Sequence, residues 1–199
     1  MLAVAGPFVF FAFSMSATPG PNNMMLTASG ANHGFVRTLP HMLGISVGCM
    51  GLMSAVALGL GTLFEQWPVT QQALKLVGSL YLLWLAWKIA NAPPPEKQAH
   101  GGAARPLTFW QAAAFQFANP KAWVMAISGI ASFTLAGDAF VLSAVLVIVL
   151  MGLINLPSIA LWTGFGVALG RLLKTPRHWR SFNQLMGGLT AACVAMILL

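Results

Sequence analysis

Three polar clusters interrupt otherwise apolar stretches of this chain, and their residue types suit the capture of a small charged molecule. They are Thr18-Pro19-Gly20-Pro21-Asn22-Asn23, Asn119-Pro120-Lys121, and Asn155 with Pro157 two residues on. A proline inside a helix has no N–H for the carbonyl four residues earlier. Pro19 and Pro21 therefore free the carbonyls of Met15 and Ala17, and Pro120 frees that of Gln116. Freed carbonyls and asparagine side chains suit an ammonium group. The N–H groups that begin a helix after Pro21, at its positive dipole end, suit a carboxylate. Lys121 adds a cation that attracts an anionic group or titrates during a cycle. The set matches a zwitterion. The plainer alternatives are two simple kinks and a lysine satisfied by asparagine carbonyls and freed backbone oxygens.

Bond-making chemistry fits the sequence poorly. It needs a nucleophile with a base, or a metal cluster, and the predicted helix interiors hold neither His nor acidic residues. The reading is accordingly no enzyme, no metal and no cofactor. The missing interior carboxylates also leave a cationic side chain without a counter-charge, which favours a small neutral amino acid over a basic one as ligand. A different small metabolite, or a basic amino acid, is the alternative cargo.

The elements that must hold these clusters are set by composition. Of 199 residues, 58% are hydrophobic and 7% charged, whereas a soluble domain carries about 25% charged residues. So few charges cannot cover a water-exposed surface, but a bilayer accepts apolar side chains on every helix face. The net charge of +7 comes from scattered basic residues, with no stripe to follow a phosphate backbone, which excludes nucleic acid as the partner. Cys49 and Cys193 lie in apolar runs and read as packing residues. No Lys or Arg precedes Arg37, so the first apolar segment lacks a signal peptide's basic start and is expected to be retained as a helix.

A span needs about 20 mostly apolar residues. The sequence predicts an all-α membrane protein of six transmembrane helices, at 3–28, 39–64, 69–90, 108–135, 140–169 and 181–199. The run Pro93-Pro94-Pro95-Glu96-Lys97 and the pair Gly101-Gly102 mark 91–107 as a linker. It separates a first three-helix repeat, 1–90, from a second, 108–199. Eight basic residues fall in the loops following the first, third and fifth helices: Arg37, Lys88, Lys97, Arg105, Arg171, Lys174, Arg177 and Arg180. The other two loops have none and end in Glu65 and Asp138. The positive-inside rule then puts both termini outside and the linker in the cytoplasm. Trp67, Trp84, Trp87, Trp110 and Trp179 fall near helix ends, as an aromatic belt requires. Two three-helix blocks of opposite polarity, each broken in its first helix, form an inverted repeat with a binding site at the interface.

Lys121 lies about 13 residues into its helix, roughly 20 Å at 1.5 Å per residue, too deep to reach the surface easily. An intramembrane lysine is a functional candidate by default. Lys75 reads as a snorkelling residue. Gly44-Ile-Ser-Val-Gly48 and Gly166-Val-Ala-Leu-Gly170 are GxxxG patterns suited to close helix contact, within the protomer or between protomers. His33, His41, His100 and His178 read as solvated loop residues.

At Thr18-Pro19-Gly20-Pro21-Asn22-Asn23, then His33-Gly34-Phe35, the sequence resembles the lysine-exporter superfamily of bacterial transporters. The closest resemblance is to the branch of homoserine/threonine and cysteine/O-acetylserine exporters. The likeness runs on through Leu83-Trp84-Leu85-Ala86-Trp87-Lys88, Phe109-Trp110 and Phe117-Ala118-Asn119-Pro120-Lys121, so it covers essentially the whole chain. It implies a six-helix inner-membrane protein, dimeric, that exports amino acids using the proton-motive force. The family's signature positions fall on Pro19, Gly20, Pro21, Asn22, Asn119, Pro120 and Lys121; Asn23 and Asn155 join them as candidate binding residues. Candidates for proton coupling are Lys121, Glu65 and Asp138.

Overall fold

The computed structural model describes residues 2–60, 66–93 and 105–195. Glu65, His100 and the linker residues from Pro94 to Ala104 lie outside them. Eight α-helices are described: α1 Leu2–Ala17, α2 Pro21–His33, α3 Phe35–Ala55, α4 Pro68–Ala90, α5 Phe109–Ala118, α6 Pro120–Phe133, α7 Phe140–Leu172 and α8 Pro176–Ala192. There are no strands among the described residues. Helical stretches Phe35–Leu60 and Gly137–Leu172 are each long and apolar enough to cross a membrane.

The helix ends follow from local sequence. Proline opens α2, α4, α6 and α8, where its missing N–H has no intrahelical partner to lose. Thr108 and Gln111 form a reciprocal capping box at the start of α5. Gly34, at φ 81°, ends α2 and passes its N–H to Gly30 O, a backbone conformation that L side chains rarely adopt. The chain also turns at Gly59 (φ 100°), within the π-helical turn Val56–Leu60 that follows α3.

Packing interleaves the two halves. The broken pair α1 and α2 packs on α7, and the broken pair α5 and α6 packs on α3. α3 also meets α7, and α4 meets α8. The core accordingly joins Phe8, Leu26, Ile45 and Leu52 to Trp123, Ile130, Val147 and Ile159. Small residues sit at the crossings. A Cβ on Gly44 would strike Phe109 O, and one on Gly48 would strike Ala113. Gly166 and Gly170 lie in the same way against Thr27 and Ala31. Both GxxxG patterns therefore serve contacts within the chain.

Polarity is inverted relative to a soluble protein. Large apolar residues such as Phe10, Leu58, Leu153 and Leu161 are exposed, while Asn23, Gln116, Asn119, Asn155 and Asn183 are buried. Such an exterior suits lipid, and these buried amides are hydrogen-bonded to backbone groups or to other polar side chains. Lys75 is exposed, and both cysteines are buried and free. One expectation fails. His41 is not a solvated loop residue: it is 1% exposed, within α3. The GxxxG-driven approach of α3 to α5 carries the face of α3 that bears Thr38 and His41 into the bundle.

Candidate binding site

Both sequence-predicted breaks stand where the prolines put them, one between α1 and α2 and one at Asn119 between α5 and α6. They lie side by side and enclose a cavity of about 30 Å³. Gly20, Pro21, Asn22, Asn23, Asn119, Lys121 and Asn155 all line it, with Ser16 and Cys49. Pro19 contributes only its carbonyl, and Pro120 only the start of α6.

Each carbonyl freed by a proline has a partner inside the chain. Met15 O accepts from Thr18 Oγ1 at 3.2 Å. Ala17 O accepts from Trp162 Nε1 at 3.1 Å, and Gln116 O accepts from Asn119 N at 3.3 Å. Asn23 spans the first break, donating through Nδ2 to Ser16 O (2.9 Å) and Thr18 O (2.7 Å). Irregular backbone at such depth persists only when its polar groups are met in this way.

Lys121 ties the two breaks together. Its ammonium donates to Thr18 O at 2.7 Å, Thr18 Oγ1 at 2.8 Å and Pro19 O at 3.2 Å. The carbonyls read from sequence as suited to an ammonium, those of Met15, Ala17 and Gln116, are thus met by neutral donors, and the ammonium of Lys121 rests instead on Thr18 and Pro19. Gly20 makes this approach feasible, since a Cβ there would lie 2.9 Å from Lys121 Cδ.

Around the cation runs an amide and hydroxyl network. Asn155 Nδ2 donates to Ser16 Oγ (3.0 Å), and Ser46 Oγ donates to Asn155 Oδ1 (2.9 Å). Asn22 and Gln116 exchange amide bonds: Asn22 Nδ2 to Gln116 Oε1 at 2.9 Å, and Gln116 Nε2 to Asn22 Oδ1 at 3.3 Å. The sequence reading missed the side chains of Gln116, Ser16, Ser46 and Trp162. Gln116 was the findable one, being a wholly buried amide within an apolar helix.

The two breaks differ in what they offer a ligand. At α6, Asn119 Oδ1 already accepts the N–H of Lys121 at 3.1 Å. At α2, the N-cap is Gly20, with no side chain to cap the helix. The open helix start at Asn22 and Asn23 faces the cavity beside the Lys121 ammonium, an arrangement that attracts an anionic group. Asp138 is exposed in a short 3₁₀ turn, Gly137–Ala139, and does not line the cavity. Among the described residues no cluster of His, Cys, Asp or Glu is suited to a metal.

A lipid-facing exterior, paired helix breaks and a polar cavity between them define a membrane transporter. The chain belongs to the LysE type translocator family, whose model matches residues 13–199; it is a transporter and not an enzyme. It is 30% identical over 183 residues to the cysteine/O-acetylserine efflux proteins of Escherichia coli strain K12 and Shigella sonnei strain Ss046, with 90% of each chain covered. The same holds for the protein of that name from Escherichia coli O9:H4 strain HS. No solved structure matches the chain.

Proposed function

We propose that the chain exports small neutral amino acids, of the threonine/homoserine or cysteine/O-acetylserine class, across the bacterial inner membrane at the expense of the proton gradient. The observation that carries this reading is the meeting of the Lys121 ammonium with the uncapped start of α2 over one small cavity. A carboxylate placed there faces a charge and a helix dipole of the same sign. The substrate ammonium takes over oxygens now held by Lys121, or those of Asn155 and its serine partners. Among the described residues no acidic one lines the cavity, so a second positive charge on the cargo finds no partner among them. The names of the efflux relatives support the same substrate class.

The fold we infer is six spans in two inverted repeats, 1–90 and 108–199, with the 91–107 linker inside and both termini outside. Reciprocal packing of each broken pair on the second helix of the other half supports it. So does the gathering of His33 and Arg37 of the first half with Arg105 of the linker around one surface cleft, because this topology sets the loop after the first span and the linker at the same end of the bundle.

A cavity of about 30 Å³ has room for about two or three water molecules, not for an amino acid. Transport therefore requires the two breaks to part. The test is release of labelled threonine, homoserine, cysteine, O-acetylserine, leucine and lysine from preloaded cells, with and without the protein and with the proton gradient collapsed. Gradient-dependent release of a neutral amino acid is expected. Release of lysine alone, or of none from correctly inserted protein, overturns the reading.

A further inference from the structure

A second cavity, of about 70 Å³, opens among α2, α3, α4 and the segment before α5. Its polar lining is Ser29, Asn32, His33, His41, Lys88 and Arg105. Two of these are permanent cations, and among the described residues no acidic one lines the cavity. The adjoining surface cleft shares His33 and Arg105 and adds Arg37. A concave surface lined by one sign of charge concentrates small ions of the other sign.

The decisive group is His41. It is 1% exposed and lines the cavity, yet neither ring nitrogen has a protein atom within hydrogen-bond reach. Other polar groups nearby are bound internally. Thr38 Oγ1 donates to Gly34 O at 2.8 Å, which leaves Ser29 Oγ to donate to Thr38 at 2.9 Å. Asn32 exchanges amide bonds with Asn183, at 2.7 and 3.3 Å. A buried ring with both nitrogens unpaired costs free energy unless something in the cavity pairs with it. The basic mouth selects what that is.

We propose that this cavity is a separate oxyanion site that receives the carboxylate of the amino acid at the basic end of the bundle, ahead of the central cavity. An imidazole N–H of His41 donates to the carboxylate, and Lys88 and Arg105 supply the charge. The two cavities are lined by the same helix. Asn23 belongs to the central one and Asn32 to this one, nine residues apart in sequence, or roughly 13 Å at 1.5 Å per residue. That exceeds the length of a small amino acid, so the sites are occupied in succession rather than together by one molecule. The inference rests on the export reading for its ligand, but the site itself can be tested without transport.

Acetate, a carboxylate with no ammonium group, is the probe for binding, titrated by calorimetry into the full chain in phosphatidylcholine nanodiscs. The Lys121→Met background is included so that the central cation does not contribute. Binding weakened about fivefold or more in His41→Ala, and in Lys88→Gln/Arg105→Gln, is expected. His41→Gln, which keeps a donor, should restore most of it, and methylammonium should not bind. Equal acetate affinity in His41→Ala and wild type overturns the site and leaves water as the occupant. Acetate binding abolished by phosphatidylglycerol, with the lipid retained on the protein through Lys88 and Arg105, assigns the cavity to a lipid headgroup and also overturns it. The transport arm uses labelled O-acetylserine and inside-out vesicles, in which His41→Ala should raise the half-saturating concentration and keep the maximal rate. If wild type carries no amino acid yet acetate binding depends on His41, the export reading falls and this site stands. If wild type exports normally and acetate binding ignores His41, the reverse holds.

Discussion

Substituting Gly20 by alanine tests whether the Lys121 ammonium must sit where it does. A Cβ at Gly20 would lie 2.9 Å from Lys121 Cδ and 3.2 Å from Nζ, about half an ångström short of ordinary contact at Cδ. The lysine end is flexible, so it moves rather than the backbone. A retreat of that size carries Nζ, now 3.2 Å from Pro19 O, beyond hydrogen-bond range, while the bonds of 2.7 and 2.8 Å to Thr18 stretch. A hydrogen bond to a charged group is worth about 1.5–3 kcal/mol net, and Lys121 is half-buried, so the lower end applies. About 1.5 kcal/mol corresponds to roughly tenfold in transport efficiency. The assay is initial export rate against internal substrate concentration, with thermal melting in detergent to show that the variant folds. Gly20→Ala should lose roughly tenfold with little change in melting, and Lys121→Ala should lose far more. In the Lys121→Ala background, Gly20→Ala should add nothing, because the atoms it strikes are gone. Wild-type export by Gly20→Ala, or losses that simply add in the double variant, would refute the reasoning.

Three further outcomes follow from the same geometry. Asn155→Leu removes the bridge between Ser16 and Ser46 and strands two hydroxyls; with about 1–3 kcal/mol per stranded group, the melting midpoint should fall by about 5 °C or more, and an unchanged midpoint would show the bridge to be idle. Gly166→Val drives a side chain into the backbone of Thr27, so overpacking of about 1–3 kcal/mol or more should yield poorly folded protein on size-exclusion chromatography, whereas Gly164→Val, with open space at its Cβ, should elute as wild type. A reporter fused after Leu199 should report the periplasm; a cytoplasmic signal would overturn both the orientation and the inverted repeat.

Much of the architecture was legible because membrane helices announce themselves by length and charge. The expected segments 69–90 and 140–169 correspond to α4 and α7 within three residues at either end. The expected start at 181 was late, because Pro176 and the Thr175 cap begin α8 before its apolar run does. Prolines located both breaks, and with them six residues of the cavity wall, since the loss of a backbone donor depends on sequence alone. What escaped is pairing between distant segments. Nothing local says that Gln116 answers Asn22, or that Trp162 reaches Ala17 O. His41 was misread for a related reason: its neighbours Arg37 and His33 look like loop chemistry, and burial is decided by Gly44 and Gly48 drawing α3 onto α5.

The same limit hid the asymmetry between the two breaks. As sequence, each offers a proline flanked by asparagine. In the structure, Asn119 turns back to cap its own helix, while Asn23 turns away from α2 to bridge Ser16 and Thr18. One helix start is thereby closed and the other left open beside a lysine that belongs to the closed half. In the proposed binding mode, a carboxylate arriving at α2 draws on both halves at once, through the dipole of one and the charge of the other. Any motion that parts the breaks must give up the Lys121 bonds to Thr18 and Pro19 together with the paired amides of Asn22 and Gln116. In the proposed export cycle, substrate binding and the separation of the halves then act on a shared set of hydrogen bonds, which is the coupling an alternating-access carrier needs.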